Sequence, residues 1–199
     1  MKTFKINSMK TAINISLVLL LLTFACSPSG NKSKTNQTNS TESISKIETP
    51  KIDIHTAVLT NNIEAVKQHI EAGTDIDKKD AMSSSTPLIT AASFGKTEIT
   101  KILIDAGADL SVTNNDGATA LHSAAFFCRV EIVQMLIDAK ADKFLRNNYG
   151  ATARESVMGP FEQIKPIYEM LQLQLEPMGL KIDLSHIEKT RPAIATMLQ

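Results

Sequence analysis

The sequence predicts an all-helical solenoid, a stack of helix-turn-helix units with hairpin loops between them, degenerate capping units at the ends and a C-terminal helical extension. Three observations predict it. The stretch Thr86 to Asp109 recurs 33 residues later, with Thr86, Leu88, Ala91, Ala92, Glu98, Ile104, Asp105, Ala106, Ala108 and Asp109 reappearing as Thr119, Leu121, Ala124, Ala125, Glu131, Ile137, Asp138, Ala139, Ala141 and Asp142. Repetition at such a period marks stacked units that each bury little alone. Within a copy, two segments place apolar residues at i, i+3 and i+4, the spacing of one helix face. On either side of the two good copies the pattern fades, as terminal units do.

Each element of the unit has a local cause. Thr86 offers an N-cap hydroxyl and Pro87 fills the first helical position, where its missing N–H is not needed. Leu88, Ala91 and Ala92 form a narrow stripe whose alanines let a neighbouring helix come close. Gly95 ends this helix, a second carries Ile99, Ile102 and Leu103 on one face, and Gly107 stops that one. Asn114 to Gly117 then makes the turn into the next unit.

On these residues the chain resembles the ankyrin repeat proteins. The family's T-P-L-H-x-A-A motif is matched by Thr86-Pro87-Leu88-Ile89-Thr90-Ala91-Ala92 and by Thr119-Ala120-Leu121-His122-Ser123-Ala124-Ala125. Its E-V-V-K-L-L-L-x-A-G-A-D pattern is similar to Glu98 to Asp109 and to Glu131 to Asp142, where Lys140 replaces glycine. The resemblance covers residues 51–171: a cap at 51–80, repeats at 81–114 and 115–147, and a degenerate unit at 148–171. It implies L-shaped units of two antiparallel helices with a protruding hairpin. It also implies that His122 is structural, hydrogen-bonded to Thr119, and that contacts come from hairpin tips and the concave face.

At the start of the chain, Lys2, Lys5 and Lys10 precede an apolar run from Ala12 to Ala25, too short to span a bilayer comfortably, so residues 1–25 are expected to be a signal peptide. The end of the run, Leu22-Thr23-Phe24-Ala25-Cys26, resembles a bacterial lipoprotein processing site, which would make Cys26 the lipid attachment residue. Thr23-x-Ala25 also suits ordinary signal cleavage, which would leave a soluble secreted or periplasmic protein, and an uncleaved anchor is a third reading. Residues 26–50 are Ser, Thr, Asn and Lys with few apolar residues, a tether unable to bury a core. Such a tether would hold the domain on the order of 25 to 30 Å from a membrane. The expected location is the cell envelope.

The end units are read in the same way. In the first, His69 stands where the next copy has Leu103, as a polar intrusion in the stack or an exposed cap residue, and a partly buried, hydrogen-bonded role is favoured over a ligand. The loop Ala81 to Ser85 is one residue longer than Asn115 to Ala118 and lacks its glycine, so this tip is expected to be the more mobile. After Gly159-Pro160, residues 161–176 read as a helix with Ile164, Ile167, Tyr168, Leu171 and Leu175 on one face, expected to close the stack. Residues 172–199 are the C-terminal extension, packed on the last unit or, as an alternative, docking a partner.

Composition and motifs bound the function. The chain has 21 basic and 21 acidic residues, and removal of the three signal lysines leaves a net charge of −3, which argues against nucleic acid or anionic lipid as partner. His55, His69, His122 and His186 fall in no metal-ligand spacing, and no nucleophile elbow or phosphate-cradling glycine loop is present. Not an enzyme, with no catalytic residue, cofactor or metal implied, the chain is expected to be a membrane-tethered scaffold, monomeric in its repeat domain, that binds another protein outside the cytoplasm. The alternative is an accessory or inhibitory subunit of a specific periplasmic or cell-envelope enzyme. The candidate partner site is Phe94, Phe126 and Phe127 on adjacent units, an apolar patch toward the concave groove, with Arg129, Asn115 and Asp116 as polar contacts. For Phe94, folding back between helices is an equal alternative. The Phe126-Phe127 pair is expected to face the groove and to be dispensable for stability.

Overall fold

Three helix pairs lead the computed structural model, which describes residues 49–199. They are α1 (Ile54–Leu59) with α2 (Ile63–Glu71), α3 (Pro87–Phe94) with α4 (Thr97–Asp105), and α5 (Ala120–Phe126) with α6 (Val130–Asp138). The first helices pack α1 on α3 on α5 as an inner layer, and the second helices pack α2 on α4 on α6 as an outer one. The signal peptide, Cys26 and all but the last two residues of the tether lie outside the described residues.

Caps set where the inner helices begin. Thr86 accepts from the Ile89 N–H at 3.2 Å, with Pro87 behind it. Thr119 and His122 cap one another reciprocally. The first unit lacks Thr-Pro, and Asp53 takes over by accepting the His55 and Thr56 N–H groups. Ala57, Val58, Ala91, Ala92, Ala124, Ala125, Ile99, Val133, Leu103 and Leu136 are fully enclosed, so the core is the seam between the layers. Each unit turns with left-handed residues at the same register: Asn61, Gly95 and Cys128 between its helices, and Gly73, Gly107 and Lys140 after the outer one.

Past the third unit the repeat is rebuilt from other parts. A 3-10 turn at Glu155–Val157 packs on α5, where a fourth inner helix would stand, and α8 (Leu184–Met197) packs on α6 as the outer helix would. Between them, α7 (Phe161–Leu175) runs on past residue 171, so the unit boundary placed there falls inside a helix. The closing role expected of α7 belongs largely to α8, which buries Ile187 and Ile194, with Leu198 buried just past its end; α7 fully buries Tyr168 alone and leaves Ile167 42% exposed. A three-residue turn cannot carry the chain from the inner layer to the outer one as a full helix does, so the chain first crosses along α7 and returns as α8.

Candidate functional site at the hairpin tips and groove

The hairpins between units are built on Asx turns. Each starts from an acidic or amide side chain, Asp80, Asn114 or Asn147, whose oxygen accepts N–H groups further along its loop. Each is closed by a backbone bond, Asp80 N–H to Ser85 O, Asn114 N–H to Ala118 O and Asn147 N–H to Ala151 O, at 2.9 to 3.1 Å. The longer first tip, expected to be the looser, is held by three N–H bonds and the Ser83 hydroxyl on Asp80, and Ser84 takes the positive φ of 54° that glycine holds elsewhere.

Neighbouring tips are tied into a row. The Asn115 N–H donates to Ser83 O at 2.9 Å, and its side-chain amide donates to Met82 O at 3.2 Å. One unit on, the Asn148 N–H donates to Asp116 O at 2.8 Å, its amide donates to Asn115 O at 2.9 Å, and the Tyr149 hydroxyl donates to Asp116 Oδ1 at 3.1 Å. The approach is close enough that a Cβ on Gly117 would come within 2.5 Å of Asn148 Oδ1. Asn115 and Asp116 therefore sit at an exposed tip as expected, and they also brace its neighbours.

Large apolar side chains decorate this row. Met82 is 83% exposed on the first tip and Tyr149 78% on the third, with Phe144 79% exposed on the approach to that tip. Sequence reasoning missed all three because isolated hydrophobics in loops carry no periodic signal. What could have revealed them is their place beside the turn-forming Asp80, Asp142 and Asn147.

The phenylalanine patch requires correction. Phe127 is buried and Phe126 half-buried, and the two rings meet edge to face with centroids 5.1 Å apart. Tyr168 of α7 lies 4.6 Å from the Phe126 ring, and its hydroxyl donates to Phe126 O at 2.7 Å. Phe94, half-buried, packs on the same core. Arg129 donates to Ser93 O and to Lys181 O, all at 3.3 Å, with its guanidinium 6.0 Å from the Phe127 ring. The C-terminal segment thus covers the place where an open groove was expected. Adjacent helical residues do point about 100° apart; both rings are nevertheless covered, because the extension supplies a second wall.

The enclosed titratable groups are structural. His122 accepts at Nδ1 from Thr119 and donates from Nε2 to Ala151 O at 3.1 Å, and burial lowers its pKa. His69 is enclosed, bonding Thr74 Oγ1 at 3.0 Å and Ile52 O at 2.8 Å; it is hydrogen-bonded as expected and more deeply buried than expected. Cys128 is buried against α8, its thiol donating weakly to Ile187 O at 3.7 Å; burial pushes it up to about 11, which removes its reactivity at neutral pH. Among the described residues no three His, Cys, Asp or Glu side chains gather in a way that could hold a metal ion.

Stacked two-layer helix pairs, a row of braced hairpins and a Thr-capped inner helix define the all-helical ankyrin-repeat fold. The model of ankyrin repeats, in three copies, matches residues 54–147. The ankyrin repeat domain of Bcl-3 superimposes with a TM-score of 0.51 at 32% identity, over 52% of this chain and 45% of that one. Human protein phosphatase 1 regulatory subunit 27 is 44% identical over 64 residues, which are 32% of this chain and 41% of the relative. The fission yeast glycerophosphocholine phosphodiesterase gde1 is 37% identical over 67 residues, 34% of this chain and 6% of that enzyme. Ankyrin repeats are protein-interaction scaffolds, and that is the class of this domain.

Proposed function

We propose that the chain is a protein-binding module held at a membrane outside the cytoplasm, and that its partner lies along the hairpin tips. The observation that carries the binding surface is the braced row on which Met82, Asn115, Asp116 and Tyr149 are exposed side by side, with Phe144 near. Rigid, exposed aromatic and Met side chains are good anchors because little freedom is lost when they are covered. Phe94, Phe126 and Arg129 then form the end of the surface where the extension meets the groove. The membrane reading rests on Lys2, Lys5, Lys10, the apolar run and Cys26.

The test is affinity purification from detergent-solubilised membranes, comparing the natural chain with a Met82→Ser, Tyr149→Ser double variant. The double variant should lose the recovered protein while melting within a degree or two of the natural chain. Unchanged recovery would remove the tips from the interface. Cys26→Ala should move the protein out of the detergent phase, and a natural chain already in the aqueous phase would end the lipid reading.

A second reading, an accessory or inhibitory subunit, is favoured by likeness to a relative named as a phosphatase regulatory subunit. It requires the recovered partner to be one enzyme, at fixed stoichiometry, whose activity falls on adding the module.

A further inference from the structure

Among the described residues ten large hydrophobics are exposed, and five of them lie between residues 158 and 178, on α7 or at its two ends. One side of α7 is packed, through Phe161, Ile164, Tyr168, Leu171 and Leu175. On the opposite side Ile167, Met170 and Leu173, at i, i+3 and i+6, are 42%, 47% and 78% exposed, with Met158 before the helix and Met178 after it. A helix that is apolar on both sides is normally covered on both, and here one side is open. Over its fifteen residues that side runs about 22 Å, or four turns.

The border of the stripe defines what fits on it. Glu162, Glu169 and Glu176 recur every seven residues, so they share one edge of the helix, beside Pro166 and Leu173, and all three are exposed. Among the described residues none of them forms an ion pair; Lys165, one step further round, is half-buried and pairs with none of them. The other edge carries Gln163 and Gln174 and is neutral. The open side of α7 is therefore an apolar stripe with a negative border along one edge.

We propose that this side of α7 docks one helix of a partner protein, a helix with apolar residues at i, i+3 or i+4, and i+7 and a row of Lys or Arg along one border. Covering Ile167, Met170 and Leu173 supplies the affinity, and the facing charges fix the direction in which the helix lies. A second copy of this chain lacks that complement. Paired antiparallel, it would set the acid row against itself, and paired parallel, it would set the row against Ile167 and Gln174. A lipid surface calls for Lys or Arg at the border of the stripe, where this helix has carboxylates. The surface shares no residue with the hairpin tips, so the module could hold two segments at once.

The experiment is fluorescence anisotropy of the full chain with two labelled synthetic helices that share one apolar stripe, one bordered by a Lys row and the other by a Glu row. The Lys-bordered helix should bind saturably, at least about tenfold more tightly than the Glu-bordered one, and lose that advantage as salt is raised. Replacing Glu162, Glu169 and Glu176 together by Gln should shrink the preference about five- to tenfold, the effect of three exposed charge pairs. Met170→Ser with Leu173→Ser should weaken both helices, whereas Met82→Ser with Tyr149→Ser at the hairpin tips should weaken neither. All these positions are exposed, so the melts should stay within a few degrees of the natural chain. Equal binding of the two synthetic helices, or a loss caused by the tip variant and not by the α7 variant, would overturn the proposal. So would dimerisation in sedimentation, or binding to phosphatidylcholine–phosphatidylglycerol vesicles, that Leu173→Ser abolishes, since either assigns the stripe to another occupant.

Discussion

Replacing Tyr168 by phenylalanine tests whether the C-terminal extension is a fixed wall of the repeat stack. The ring is fully enclosed between Phe126 and Phe161, and phenylalanine fills the same volume, so no cavity opens. What disappears is a hydroxyl that donates to Phe126 O at 2.7 Å and accepts from Arg191 Nη1 at 3.2 Å. Leaving the part-buried Phe126 carbonyl without its donor costs up to about 1–3 kcal/mol, and a bond to a charged group contributes about 1.5–3 kcal/mol. The two losses share one atom and are not fully additive, so the sum is about 2–4 kcal/mol. Burial pushes the Tyr168 hydroxyl up to about 12, so it remains a donor across the working pH range. For a domain of this size each kcal/mol moves Tm by about 2–4 °C, which gives a fall of roughly 5–15 °C in a circular-dichroism melt. Hydrogen exchange should rise first in α7 and α8, because a solenoid loosens from the disturbed end. A Tm within a degree of the natural chain, with unchanged exchange in those helices, would refute the claim that this hydroxyl pins the extension to the repeats.

Leu136→Ala should cost about 2–5 kcal/mol and Phe127→Ala about 3–5 kcal/mol in a denaturant titration, since both side chains are buried, and this reverses the expectation that Phe127 is dispensable for stability. Thr100 is fully enclosed with an unbonded hydroxyl at the register where the flanking units carry Val66 and Val133, so Thr100→Val should stabilise by about 1–3 kcal/mol, and a loss would mean the hydroxyl has a partner after all. Lys140 holds a φ of 68° at an exposed position where earlier units have Gly73 and Gly107. Relief of about 1–2 kcal/mol, less the extra unfolded-state freedom of glycine, makes Lys140→Gly a gain of about 0.5–1 kcal/mol, readable as a rise in Tm. Burial lowers the pKa of His122 from 6.5, so the unfolded chain binds more protons at mildly acidic pH. Stability should be full above that value and fall below it by up to about 1.4 kcal/mol per pH unit until the folded-state pKa is passed, with His122→Gln flattening the slope in melts between about pH 8 and about pH 5.

The repeats were legible because each unit restates its own causes. Thr86-Pro87 and Thr119 mark helix starts, Gly95 and Gly107 mark stops, and the same register exposes Cys128 and Lys140 as residues standing in for glycine. His69 was legible for a similar reason, since a polar residue in a leucine position has to be hydrogen-bonded. The phenylalanine patch was misread because its cover comes from Tyr168, 42 residues beyond Phe126, and from Lys181, 52 residues beyond Arg129. Neither lies in a repeating segment, so no spacing announces the contact. The helical period of α7 was visible, but a period shows which residues share a face and not what that face meets.

The end of a solenoid poses a problem that each interior unit has solved by its neighbour: the last helix pair presents an apolar side with nothing stacked on it. Here α6 carries Ile132, Val133 and Leu136, all buried, and the covering is made by α8, which buries Ile187 and Ile194 with Leu198 just past its end, while the 3-10 turn covers α5. Because the inner and outer replacements are separated by α7, the chain must pass the end of α5 on the way, and Tyr168 is set against Phe126 in that passage. The same rearrangement that closes the stack therefore closes the nearby end of the groove. The hairpin row is untouched by it, since its bonds run from unit to unit through Met82, Asn115, Asp116 and Tyr149. The groove is walled at the third unit and the tips are open along their length, which is the reason recognition is proposed at the tips.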